Sequence, residues 1–183
     1  MFNPKDRSRA FNFALIAQET FSKIILVLLL WSLWAIVFSS LDSSFVVLII
    51  LSFISIGFGT ITPLIDFNES HATNPLWTGH ARFHLVWQVS AMILTAILSL
   101  VLLWFYFSSF NVFIVLSLNY LWIFSFFISV FSMKLYDGKL NDINGVPSIR
   151  IKIFGLKFEI DRNVQAISGV FFLNTYALIL FLI

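Results

Sequence analysis

Five apolar runs dominate this chain, and each is close to the roughly 20 residues that a helix needs to cross a hydrocarbon core about 30 Å thick. They cover about residues 21–40, 45–64, 85–107, 112–133 and 166–183. Lipid offers backbone groups no hydrogen-bond partner, so a segment that crosses it must satisfy its own N–H and C=O groups. The runs therefore predict helices, and the fold class predicted is an all-α integral membrane protein, a five-helix transmembrane bundle. Composition agrees: 60% of residues are hydrophobic and 11% charged, whereas a soluble domain carries about 25% charged residues. A chain of 183 residues fits a single membrane domain. The first run lacks a small-residue cleavage site and is long for a signal-peptide core, so it reads as an uncleaved span.

The cations set a topology. All 11 fall in three regions: Lys5, Arg7, Arg9 and Lys23 near the N-terminus, Arg82 in the 65–84 segment, and Lys134, Lys139, Arg150, Lys152, Lys157 and Arg162 in the 134–165 segment. The turns at 41–44 and 108–111 contain none. With five spans, those three regions share one side. The positive-inside rule then places the N-terminus in the cytoplasm and the C-terminus outside, with a bacterial inner membrane as the expected location. A net charge of +2 gives no footing for a nucleic-acid partner. The absence of cysteine excludes disulfides, thiolate nucleophiles, iron–sulfur clusters and thiolate zinc sites.

The 134–165 segment has a second pattern. Asp137-Gly138, Asn144-Gly145 and Pro147 signal turns. Ile149, Ile151 and Ile153 then alternate with Arg150 and Lys152, Gly155 interrupts, and Phe158 and Ile160 alternate with Lys157, Glu159 and Asp161. This predicts a small cytoplasmic β-hairpin with one apolar and one charged face. The apolar face is expected to lie on the helix ends or on the membrane surface. A solvated basic linker near anionic headgroups is the plainer reading.

All three histidines fall between residues 71 and 84: His71, His80 and His84, preceded by Asp66 and Glu69. Thr78 fits an N-cap, with Gly79 and His80 in the first turn of the third helix. His80 and His84 then share a face, and Gln88 continues the stripe one turn deeper. Counting back from Ser108 sets Gln88 at the hydrocarbon boundary. His84 and His80 follow roughly 6 and 12 Å further out, at 1.5 Å per residue. Trp77 reads as an interfacial anchor.

Three chemistries fit these residues. A single divalent metal could take His80 and His84 as an i, i+4 pair, with His71 or Glu69 as a third ligand. An anion or lipid headgroup could be held by Arg82 and the helix N-terminus, with His71, Gln88 and Trp77 lining the site and His80 or His84 as the catalytic acid or base. Or the histidines and Arg82 brace the bundle, with Asp66 and Glu69 as partners. Within the spans, Asn119, Tyr120 and Asn174 are expected to face inward, as helix-to-helix bonds more often than as a binding site, and Gly57 and Gly59 to allow close helix contact.

The run Asn74-Pro75-Leu76-Trp77-Thr78-Gly79-His80-Ala81-Arg82-Phe83-His84, continuing to Trp87-Gln88, resembles the signature of a family of small bacterial multi-span membrane proteins. The resemblance implies a four- to five-helix membrane fold and carries no mechanism. The expected function is a small membrane enzyme or binding protein for a lipid-like or amphipathic molecule, with membrane lipid as partner. The alternative is a non-catalytic subunit with a protein partner in the membrane. A transport pathway has little to stand on without repeats or intramembrane charges.

Overall fold

The computed structural model describes residues 8–39, 41–141, 145–153 and 156–183. Five helices long and apolar enough to cross a membrane follow one another: α1 (Arg9–Phe38), α2 (Ser43–Asp66), α3 (Gly79–Phe105), α4 (Ser109–Ser132) and α5 (Arg162–Leu182). A single 3-10 turn, Met133–Leu135, ends α4, and strands β1 (Ile149–Ile153) and β2 (Leu156–Ile160) precede α5. The chain is a multi-pass helical membrane protein with a small two-stranded sheet, as its sequence predicts. The expected turn residues Asn144 and Gly155, the cations Lys5 and Arg7 and the residue-40 limit of the first span lie outside the described residues.

Polar residues between the apolar runs start every helix. Ser8, Thr78 and Ser108 cap α1, α3 and α4 through their hydroxyls, which accept from Phe11 N, Ala81 N and Asn111 N. Asp42 and Asp161 cap α2 and α5 through carboxylates that accept from Ser44 N and from Asn163 and Val164 N. Each side chain satisfies a backbone donor that has no partner inside its helix.

α2 is the hub. It packs against all four other helices, and half of its apolar stretch is buried inside the protein, against 17% for α1. Small residues permit this. A Cβ on Gly59 would lie 2.8 Å from the Ala96 methyl of α3, and one on Gly57 would overlap the Phe21 ring of α1. α4 and α5 are joined by hydrogen bonds: Asn119 Nδ2 donates to Asn174 Oδ1 at 3.0 Å, and the Tyr120 and Thr175 hydroxyls are 2.9 Å apart. These residues glue helices and do not line the cavity described below.

The structure departs from the sequence expectation at the cation-bearing end. α1 begins at Arg9, not near residue 21, and its 30 residues extend about 45 Å at 1.5 Å each. Contacts fix the level of its extra turns. Gln18 Nε2 donates to Asn163 Oδ1 at 3.0 Å, and Glu19 pairs with Arg162 at 3.5 Å. The membrane-crossing part of α1 therefore starts level with the first turn of α5. Residues 9–18 project beyond it, burying Phe11 and Ala14 against Ile65 and Val146. The buried stripe of this stretch meets protein. α2 likewise continues past Pro63 to Asp66. Proline blocks bonds toward the preceding turn only, so three further residues remain helical.

The predicted hairpin forms, with Ile149 opposite Ile160, Arg150 opposite Glu159 and Lys152 opposite Lys157. The β2 side of its apolar face is exposed, at Leu156, Phe158 and Ile160.

Candidate functional site

The segment between α2 and α3 is held by its own amides. Asn68 Nδ2 donates to Leu64 O and Ile65 O at 2.8 and 2.9 Å, while its Oδ1 accepts from the Ser70 N–H and hydroxyl. Asn74 Nδ2 donates to Ser70 O, and its Oδ1 accepts from Leu76 N. Asn68, Ser70 and Asn74 are buried. A loop with this many internal bonds presents fixed side chains, and the two it presents inward are His71 and Trp77, whose rings meet edge to face at 5.3 Å.

Those two rings stand at the mouth of a cavity of about 710 Å³ that all five helices enclose. Its polar wall lies at the cation-bearing end and comprises Gln18, Asp66, His71, Gln88, Lys139 and Asn163. Deeper, Phe21, Ile54, Phe58, Met92, Trp122 and Val170 make an apolar lining. From Asp66 down to Ile54 is 12 residues of α2, or about 18 Å of depth. The cavity thus reaches from the headgroup level to near the bilayer middle, and its volume falls in the roughly 300–1,000 Å³ range of small-molecule sites.

Within the polar wall, Ser70 Oγ lies 2.7 Å and Asp66 Oδ1 3.6 Å from His71 Nδ1. The Asp66 and His71 side chains retain only 16% and 22% of their exposure. An ionised carboxylate so placed depends on a neighbouring proton or cation, and His71 is the group beside it. On the opposite wall, the Gln18 amide is buried and its Oε1 has no hydrogen-bond partner among the described residues.

The sequence-predicted site residues divide. His71, Trp77 and Gln88 line the cavity. His80 and His84 do not; both are exposed on α3, with their Nε2 atoms 3.0 Å apart and their rings perpendicular. Arg82 is half-buried on another face and lies outside the cavity lining. Glu69 turns the other way and accepts from Ser8 N at 2.8 Å, tying the loop to the start of α1. The three-ligand metal set of His71 or Glu69 with His80 and His84 is not assembled: among the described residues, no three His, Cys, Asp or Glu side chains converge. The i, i+4 stripe still matters. Each four-residue step advances about 40° around a helix of 3.6 residues per turn, so His80, His84, Gln88 and Met92 wind from the outer surface of α3 into the cavity, which the last two line.

Gln18, Lys139 and Asn163 were not legible as site residues. Gln18 sits in a stretch that reads as non-spanning, and the other two flank the hairpin, more than 100 residues further along. Gln18 carried one usable signal: Phe11, Ala14, Gln18 and Phe21 recur at helical spacing. No family model, curated protein or solved structure matches the chain.

Proposed function

We propose that this protein binds a lipid-like, amphipathic molecule in the five-helix cavity, as a small membrane enzyme or a binding protein. One observation carries the reading: the cavity passes from a polar mouth, with Asp66, His71, Gln18 and Asn163, to an apolar interior near mid-bilayer depth. A molecule with a polar head and a hydrocarbon body matches that gradient, and apolar burial supplies roughly 0.8 kcal/mol per CH₂. The head would accept or donate hydrogen bonds at Gln18 and Asn163.

His71 is the residue in this reading that exchanges a proton with the head, because Ser70 and Asp66 hold its ring as a third group orients a general base. The His80–His84 pair stands at the outer end of the stripe that leads inward through Gln88. Arg82 adds positive charge at the same level for an anionic head. The positive-inside rule puts this end in the cytoplasm. The run 74–88 supplies Trp77 and Gln88 to the cavity.

Lipid mass spectrometry and elemental analysis of protein purified in mild detergent test the proposal. A stoichiometric amphiphile should accompany the wild type. Ala166→Trp, which projects an indole into the cavity from α5, should lose it while the melting transition persists. His71→Ala should weaken retention or turnover without emptying the apolar part. A wild-type protein free of bound amphiphile, with no lipid-dependent change in melting temperature that Ala166→Trp removes, refutes the reading. A stable partner of different sequence in the same preparation would favour the accessory-subunit alternative, for which the exposed hairpin face is the supporting observation.

A further inference from the structure

The hairpin presents a problem that the bundle does not solve. Leu156 is 64% exposed, Phe158 47% and Ile160 37%, and an apolar sheet face left in water is unfavourable. The other face holds Arg150, Lys152 and Lys157 against a single carboxylate, Glu159, which lies 3.8 Å from Arg150. Lys152 and Lys157 are direct cross-strand partners. Like charges so placed repel, and an anion between them offsets that repulsion by attracting both.

The position of the hairpin is fixed at both feet. Val146, ahead of β1, is buried among Phe11, Ala14 and Ile65. Ile160, the end of β2, is followed at once by Asp161, the cap of α5, and Arg162 Nε donates to Pro147 O at 3.0 Å. α5 has 21 residues, a length of about 31 Å, which matches the hydrocarbon thickness and puts its first turn at the boundary. Strands of five residues reach only about 17 Å. Lying along the surface, a hairpin held at both feet at this level keeps both strands beside the headgroup layer.

We propose that the hairpin is an interfacial anchor, seated with Leu156, Phe158 and Ile160 in the headgroup–acyl boundary of the bilayer that the helices span, and selective for anionic lipid through Lys152 and Lys157. This is the division of labour of surface-lying amphipathic elements, an apolar face immersed and a cationic face drawn to negative headgroups. It holds whether or not the cavity binds a ligand.

The chain has no cysteine, so single-cysteine variants report single positions. Phe158→Cys and Lys152→Cys, each carrying an environment-sensitive fluorophore, are reconstituted in phosphatidylcholine vesicles with and without about one-third phosphatidylglycerol. The label at 158 should shift to shorter wavelength, resist aqueous iodide and be quenched by lipids spin-labelled near the headgroup. The label at 152 should stay accessible to iodide. Immersion at 158 should rise with phosphatidylglycerol, and changing Lys152 and Lys157 to Gln should reduce the immersed-to-free ratio roughly fivefold per lysine. A label at 158 that is open to iodide in both vesicles overturns the anchor. Equal immersion with and without phosphatidylglycerol overturns the anionic preference. Efficient thiol cross-linking of Phe158→Cys between two copies in the bilayer would show that a second copy covers the face, and would overturn the lipid assignment.

Discussion

Removing the Asn174 side chain should cost this protein more than one hydrogen bond. Asn174 is fully buried and Asn119 is 2% exposed. They sit 12 and 10 residues into α5 and α4, about 18 and 15 Å from the helix starts and about 12 and 20 Å from the ends, and so near the bilayer middle. Asn119 Nδ2 donates to Asn174 Oδ1 at 3.0 Å, and Asn174 Nδ2 reaches Leu116 O at 3.4 Å. Hydrogen bonds between membrane helices contribute about 0.6 kcal/mol on average and up to about 1.7. Asn174→Ala also strands the Asn119 amide where no water can reach it, at a further cost of about 1–3 kcal/mol. Each single alanine variant should therefore lose about 2–4 kcal/mol, and the double variant, which strands nothing, should lose only about 1–2 kcal/mol, well below the sum of the two. Denaturation by sodium dodecyl sulfate from mixed micelles, followed by the fluorescence of the six tryptophans, measures all corners of the cycle. Single-variant costs that add to the double within about 0.5 kcal/mol would refute the claim that these amides act as a pair.

Gly57→Ala should destabilise by about 1–3 kcal/mol, because the new methyl overlaps Phe21, whose ring cannot withdraw while stacked on Phe53 at 4.6 Å. In a Phe21→Leu background the same change should become neutral or gain up to about 1 kcal/mol from helix propensity, as read by the same titration; equal costs in both backgrounds would rule out the clash. Asn74→Ala removes the bonds to Ser70 O and from Leu76 N and should cost about 1–3 kcal/mol. Hydrogen exchange across residues 67–78 should accelerate, with retention of any cavity amphiphile falling as His71 and Trp77 lose their fixed positions; unchanged exchange would mean the loop is held by something other than its amides.

Much of this architecture was written in local pattern. The length of each apolar run, the polar caps between them and the alternation in 149–160 are one-dimensional properties, and bilayer thickness converts them directly into helices, turns and a hairpin. The Thr78 cap and the His80–His84 pairing followed from helical period alone. The interior did not follow. Residues 9–20 fell outside the predicted first span, and only the presence of Ile65 and Val146 makes their narrow apolar stripe a buried helix face. The cavity joins Gln18, Asp66, His71, Gln88, Lys139 and Asn163 from six separate stretches of chain, and no local spacing encodes such a meeting. The histidine cluster, compact in sequence, divides in space because the loop turns His71 inward while helical rotation carries His80 and His84 to the outer surface. Periodicity states which residues share a face; which face meets protein, lipid or an empty cavity is decided by the packing of five helices around α2.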